Sequence, residues 1–441
     1  MKKNLSIFSF FGVILCALLG TTACQSNKKN ALDPFNNGNS DRNLIVVISD
    51  LHLGADIKYT ETKDNLEPLQ KFLEQIRLSK NVQELVIAGD LLDEWFVPAN
   101  VNTYNGKDQA DFVERVASTN KLVFDAFNQI IKEGKITVTY VPGNHDLTIT
   151  RENVDRILPG IIQVRDSATL GLGTYSPKSC PQIAIEHGHR YNVFCAPDPV
   201  SNQNVAPGTI LPPGYFFTRI AALHVVQNCH DKSNNVIRPI TLPASASESQ
   251  KLLYKYWGNW VWTMNYLPIE NTLDTPIIIT NINGFTQTYA VNDLLPSQSG
   301  KDSIIRVNLF DKIQDTWAQR CSLNHVQVPI DAGYAFDNAA TDIGTDSMAV
   351  TQYFMNKNSD KRIVVFGHTH VAKLLTYQNY NDQKSIYVNS GTWIDAKPEV
   401  TTMNFVVITP QNTNAQSATK VTLYNFRNKK VTQMASDSIQ L

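Results

Sequence analysis

From Leu44 onward the chain reads as short apolar runs that end in polar clusters. Leu44–Ser49 (LIVVIS) is apolar without alternation, the pattern of a strand covered on both faces, and Glu84–Ala88 and Ile136–Val141 read the same way. Between them, Asn65–Leu78 and Asp111–Glu133 space their apolar residues three and four apart, which predicts two helices. Strand, helix, strand, helix, strand predicts an α/β layered domain with partly parallel pairing. The tail is strand-rich: Arg362–Phe366, Ser385–Asn389, Met403–Ile408 and Lys420–Asn425. Residues 195–350 break the pattern. They carry Pro197, Pro199, Pro207, Pro212 and Pro213 early and helix-like stretches later, so they read as an insertion or cap between core segments 44–194 and 351–441.

The first 43 residues carry a different pattern. Met-Lys-Lys precedes an apolar run from Leu5 to Gly20, then Gly20-Thr21-Thr22-Ala23-Cys24. A short positive segment, an apolar stretch and small residues predict a secretory signal peptide over 1–23, too short for a comfortable transmembrane helix. Small residues before Cys24 resemble a bacterial lipoprotein box. The expectation is an exported protein of the cell envelope, held on the membrane surface through a lipidated Cys24. Residues 24–43, rich in Asn, Gly and polar side chains, read as a flexible tether.

Composition narrows the class. With 39 basic and 40 acidic residues the formal charge is -1, and loss of Lys2 and Lys3 with the leader takes it to -3. No nucleic-acid-binding signature is present. A hydrophobic fraction of 42%, with 16 Tyr and 19 Phe, excludes a disordered chain. Cys180, Cys195, Cys229 and Cys321 remain after the leader; in an oxidising compartment they allow three disulfide pairings, against a reading as four buried thiols.

Five motifs stand at the ends of predicted strands: Asp50-Leu51-His52, Gly89-Asp90-Leu91-Leu92-Asp93, Gly143-Asn144-His145-Asp146, His187-Gly188-His189 and Gly367-His368-Thr369-His370. In an extended segment residues i and i+2 point the same way, so Asp50 can join His52 on one metal and His368 can face the same site as His370. Gly89, Gly143 and Gly367 each precede a candidate ligand, where a sharp turn frees the side chain. Mixed carboxylate, amide and imidazole donors suit Mn, Fe, Zn or similar ions. Seven donors exceed one tetrahedral ion and fit two divalent ions, roughly 3.5–4 Å apart, sharing one carboxylate.

These motifs, in this order, resemble those of the calcineurin-like metallophosphoesterases: D-x-H, G-D-x-x-D, G-N-H-[DE], H and G-H-x-H. The resemblance covers about 44–194 and 360–410 and leaves out the insertion. It implies a two-sheet β-sandwich flanked by helices, with one metal on Asp50, His52, Asp90 and His370. The other would lie on Asp90, Asn144, His187 and His368, with Asp90 bridging and His189 competing with His187. Two divalent ions less Asp50, Asp90 and a bridging hydroxide leave about one positive charge, suited to a phosphate. The implied reaction is attack of that hydroxide on a phosphomonoester, phosphodiester or pyrophosphate. His145 would assist the leaving oxygen, oriented by Asp146 or Asp93.

Gly89–Phe96 and the terminal Gly-His-Thr-His also resemble the UDP-diacylglucosamine hydrolase branch, which works in the cytoplasm. The signal peptide and the retained His145 argue against that role, while an amphiphilic substrate at the membrane surface stays open beside a phosphorylated small molecule. Only 71 residues follow His370, too few for the C-terminal domain of a two-domain 5'-nucleotidase. A scaffold without turnover typically loses ligands, and here all are kept. Within the insertion, Leu252–Leu267 holds Trp257, Trp260 and Trp262, either an aromatic wall over the substrate or the insertion's own core.

Overall fold

The computed structural model describes residues 33–299, 303–395, 401–411, 417–427 and 430–441. The expected signal peptide and Cys24 lie outside those residues. The first part contains β1 (Leu44–Ile48), α1 (Leu66–Leu78), β2 (Val82–Ala88), α2 (Gln109–Thr119), α3 (Lys121–Glu133), β3 (Thr137–Val141), α4 (Arg151–Ile157), β4 (Ile162–Gln163) and β5 (Ile183–Ile185). The middle supplies α5 (Pro213–Gln227) and α6 (Glu248–Tyr266), then two small ladders, β6 (Ile278–Ile279) with β7 (Thr288–Tyr289) and β8 (Ser297–Gln298) with β9 (Ile305–Arg306). It ends with α7 (Ile313–Leu323), α8 (Ala332–Asn338) and α9 (Asp342–Met348). The tail is β10 (Ile363–Phe366), β11 (Lys373–Gln378), β12 (Lys384–Asn389), β13 (Asn404–Thr409), β14 (Thr419–Arg427) and β15 (Lys430–Ile439).

Two sheets stack. The larger has the order β15-β14-β13-β1-β2-β3-β4, parallel from β1 to β4 and antiparallel from β1 through β13 to β15. The smaller has the order β11-β12-β10-β5, with only the edge strand β11 antiparallel. Ile45, Val47, Val86 and Ala88 pack with Ile183, Ile185, Ile363 and Val365 between the sheets. Their neighbours Val46, Ile48, Leu85 and Ile87 pack on the outer side with Leu69, Phe72 and Phe127 of the helices. Both faces of each central strand are covered, which is why these strands read as continuous apolar runs. On the far side, Val364, Phe366 and Tyr387 pack against Met348, Ala349 and Phe354. The result is helices, sheet, sheet and helices, as expected.

Three expectations are corrected. The helix read across 111–133 is two helices, broken at Asn120, whose amide donates to Val116 O (2.8 Å) and Gly54 O (2.9 Å). The part of the tether that is described is fastened down: Phe35 is buried against Phe72 and Phe405, with ring centroids 5.7 Å apart in each case. Arg42 also donates to Ser79 O (3.0 Å). The middle segment, expected as an insertion or cap, packs Tyr215, Phe216, Trp260 and Trp317 into one continuous core with β1, β2 and α1. None of the three disulfide pairings forms, and all four cysteines are free thiols. Among the described residues, no helix is long and apolar enough to cross a membrane.

Candidate metal centre

Every motif follows the carboxyl end of a parallel strand by two or three residues: Asp50 after β1, Asp90 after β2, Asn144 after β3, His187 after β5 and His368 after β10. That edge of an open α/β sheet is where ligands bind, because the strands stop and the loops diverge. Here the ends of two stacked sheets converge on one point.

The local backbone is not extended at the ligands. Asp50 (φ 55°), His52 (φ 45°), Asp90 (φ 52°), His368 (φ 68°) and His370 (φ 62°) all occupy the left-handed region. Side chains pay about 1–2 kcal/mol each for that conformation, so the surroundings must hold it. Asp50 O accepts from Trp393 N (3.0 Å) and Thr392 Oγ1 (3.0 Å). Asp90 O accepts from Leu51 N (2.9 Å) and His52 N (3.0 Å). His368 N donates to the Asp50 carboxylate (3.1 Å), and Asn389 Nδ2 donates to Gly367 O (2.7 Å). The convergence of Asp50 with His52 thus comes from a strained turn and not from the alternation of an extended strand. Gly143 is needed for close approach: a Cβ there would lie 2.1 Å from Asp90 Oδ1.

The first cluster is tight. His52 Nε2 lies 3.5 Å from Asp90 Oδ2, 4.0 Å from Asp50 Oδ1 and 3.2 Å from His370 Nε2, and His370 Nε2 lies 3.1 Å from Asp50 Oδ1. One donor atom from each of Asp50, His52, Asp90 and His370 lies within 4.8 Å of every other. Beside it, His187 Nε2 is 3.1 Å from both Asp90 Oδ2 and Asn144 Oδ1. The His368 ring stands 5.2 Å from that of His187. Asp90 thus faces both groups.

The imidazoles are aimed from behind. His187 Nδ1 donates to Ala88 O (2.9 Å) and His52 Nδ1 to Asp93 Oδ2 (3.0 Å), so in both rings Nε2 is the atom turned toward the carboxylates. Burial opposes charge on His52, yet its bond to Asp93 and the charges of Glu61, Asp93 and Asp90 raise its pKa to about 10. Burial likewise opposes charge on His187, and Asp90 and Asp50 raise it to about 9. Burial and the nearby His187 depress His368 to about 3. Asp90, though burial alone would raise it, is held well below the usual carboxylate range by His187, His145 and His52. Buried carboxylates that attract protons onto facing imidazoles are a donor set matched to cations, so the residues fit divalent metal ions.

His145 stands beside this group. Its amide donates to Asp90 Oδ1 (2.8 Å) and its Nδ1 to Asp93 Oδ1 (2.8 Å), leaving Nε2 for a substrate. Burial and the nearby His52 lower its pKa, but the charges of Asp93 and Asp90 and the bond to Asp93 together shift it upward. Asp93 therefore orients both His52 and His145. Asp146 does not orient His145: its carboxylate accepts from Leu91 N (2.8 Å), Leu92 N (3.1 Å) and Gly143 N (2.7 Å) and braces the loop backbones.

The calcineurin-like phosphoesterase family model matches residues 44–209. Over those residues the chain is similar to that family, and the matched stretch holds Asp50, His52, Asp90, Asn144, His145 and His187. That family is one of metal-dependent hydrolases that use a dinuclear centre. A search of curated proteins finds no match to the chain. The match runs past residue 195, the expected start of the insertion, in keeping with the shared core.

The remaining candidates separate around the candidate metal centre. His189 is buried with neither ring nitrogen hydrogen-bonded, 5.4 Å from the His187 ring, and lines no part of the cleft. Of the two competing imidazoles, His187 is the one that faces Asp90 and Asn144. Trp260 is fully buried and stacks on Phe217 (4.1 Å), so it is core. Trp257 is half-buried beside Tyr254 and also stands outside the cleft. Only Trp262 of the three lines it. Two residues were not anticipated. Glu61 Oε2 lies 3.2 Å from His52 Nδ1. Trp95 packs its ring 4.9 Å from His145, and its place two residues after Asp93 was the available signal.

Proposed function

We propose that this protein hydrolyses phosphate esters at the bacterial cell envelope with two divalent ions of the Mn, Fe or Zn kind. The observation that carries the reading is Asp90, which faces His52 and His187 at once while its other oxygen fixes His145. Asp50, His52, Asp90 and His370 would hold one ion, and Asp90, Asn144, His187 and His368 the other. When bound, the ions supply Lewis acidity that lowers the pKa of a water and neutralises phosphoryl oxygens. The chain's own residues do the rest. Asp93 holds the His145 ring in one tautomer, so that Nε2 can deliver a proton to the leaving oxygen. Asp93 and Glu61 steady His52 from behind. The envelope location rests on the leader and Cys24.

The test is hydrolysis of p-nitrophenyl phosphate and bis-p-nitrophenyl phosphate by purified protein, with Mn²⁺ and after chelation. Turnover that chelation abolishes and Mn²⁺ restores is expected. No hydrolysis across metals and pH would favour a metal-binding scaffold. Fractionation of cells expressing wild type and Cys24→Ala checks the anchor, which is expected to release the variant from the membrane fraction.

A further inference from the structure

The open cleft in front of Asp90 runs from the metal centre into the middle segment. At its inner end stand Asp90, Asn144, His145, His368 and His370. Beyond them one wall is aromatic, with Trp95, Phe194, Phe217 and Trp262, and the other side carries neutral polar residues such as Asn192, Thr341 and Thr345. Gly214 lines the same wall, and a Cβ there would stand 2.5 Å from Phe194 O and 3.1 Å from the Trp95 ring, so the cleft depends on that side chain being absent. Polar residues in the wall are largely occupied. Asn259 Nδ2 donates to Lys255 O (3.0 Å) and Thr263 Oγ1 to Asn259 O (2.9 Å), both within α6.

The charge pattern decides what else fits. Among the described residues no Lys or Arg lines the cleft, and the acids that do are Asp90 and Asp342. The cation near Asp342 is Lys373, whose ammonium bridges Asp342 (2.5 Å) and Asp346 (2.6 Å). A second phosphate, or a carboxylate, carried beyond the metal centre would meet aromatic rings, neutral Thr and Asn side chains and Asp342, with no lining cation to compensate its desolvation. At the lip, Trp262 is 37% exposed and its ring lies 4.8 Å from that of Tyr266, itself 55% exposed. Aromatic surface therefore continues from the cleft wall out to solvent, available to cover an apolar group.

We infer that the ester cleaved here carries a single phosphoryl group joined to a neutral, largely apolar arm that lies along Trp95, Phe217 and Trp262. This rests on the phosphoesterase reading and narrows its substrate class, disfavouring pyrophosphates and nucleoside polyphosphates. In the reaction the oxygen of water bonds to phosphorus and the bond from phosphorus to the leaving alcohol breaks. The alcohol oxygen takes a proton from His145, and the proton given up by water restores it. Trp95, against the His145 ring, places apolar surface where the leaving side of the ester emerges.

The test is calorimetric titration of the Mn²⁺-loaded protein with methylphosphonate, hexylphosphonate and 6-phosphonohexanoate, the last carrying a carboxylate at the far end. Hexylphosphonate is expected to bind about 10-fold or more tighter than methylphosphonate, as several buried methylenes provide, and 6-phosphonohexanoate to lose that gain. In Trp262→Ala the ratio of hexyl to methyl affinity should fall at least about 3-fold, with Trp262→Phe retaining most of it. Equal affinity for methyl and hexyl, or tighter binding of the carboxylate, overturns the inference. Binding with the expected preference but no turnover of any p-nitrophenyl ester sinks the phosphoesterase reading alone. Mn²⁺ uptake without binding of any phosphonate sinks both. Turnover of phosphatidylglycerol in mixed micelles would assign the arm to a membrane lipid, and turnover of hexyl p-nitrophenyl phosphate alone to a soluble ester.

Discussion

Glu94 sits one residue beyond Asp93 and is fully buried. Its Oε1 accepts from Tyr104 Oη (2.8 Å) and Gln109 Nε2 (2.9 Å), its Oε2 pairs with Thr148 Oγ1, and its amide donates to His145 O (3.0 Å). Burial raises its pKa from the ordinary 4.5 to about 7, against those three side-chain bonds and with the charge of Asp146 adding to the rise. The folded state therefore holds this proton more tightly than the unfolded chain. The stabilisation is present in full below pH 4.5 and is lost as the pH rises through about 7. At 1.36 kcal/mol per decade, the part of that interval between pH 5 and 8 is on the order of 2–3 kcal/mol.

Glu94→Gln keeps the shape and the acceptor while removing the titration. Wild type should lose that amount relative to the variant on going from pH 5 to pH 8. With about 2 cal/mol/K of unfolding entropy per residue over 441 residues, that is roughly 2–3 °C of melting temperature. Differential scanning calorimetry of both proteins at matched Mn²⁺ reads it as a gap that opens with pH. A gap that stays constant from pH 5 to pH 8 would refute a buried, proton-holding Glu94.

Four further outcomes are expected. Asp90→Asn should lose at least one ion per chain by elemental analysis, together with nearly all turnover, because both clusters depend on its Oδ2. His145→Ala should keep its metals and lose about 10²–10⁴-fold in kcat; full activity would remove His145 from the chemistry. Asp93→Asn weakens the support of His52 and His145 together, so about 10–100-fold losses in metal affinity or rate are expected, read by Mn²⁺ titration and kinetics. Arg219→Met removes the guanidinium donor shared by the carbonyls of Val97, Pro98, Ala99, Val101 and Ile279, of which, among the described residues, only Pro98 and Ala99 keep a backbone donor. It should destabilise by about 3 kcal/mol or more, seen as a lowered melting temperature with metal stoichiometry unchanged.

The core and its metal-facing loops were legible because one physical rule governs each. Strands buried on both faces must be apolar throughout, and LIVVIS could be read without knowing its partners. The edge strand β11 (KLLTYQ) escaped because its residues are half-buried or exposed and mix polar with apolar, so burial leaves no clean pattern there. The helix break at Asn120 escaped for a similar reason: the apolar spacing continues through it, and the break depends on an amide reaching Gly54 in a distant loop.

The site shows the same division between local and assembled information. Short motifs named the residues of the candidate metal centre, since ligand chemistry is a property of residue type. The supports are not. Asn389, Thr392 and Trp393 hold the His368 and Asp50 turns from a segment with no motif of its own, and Glu61 reaches His52 from a loop nine residues on. The i, i+2 argument reached the right residues by the wrong geometry, because five ligands adopt a backbone that L-residues avoid. Such strain persists only where the rest of the fold over-determines it. The middle segment was least legible because its role is shared. Trp260 and Trp262 are two residues apart on α6, yet one stacks on Phe217 in the core and the other lines the cleft. Spacing alone cannot assign those roles, since they follow from where α6 lies against α5 and the ends of the sheets.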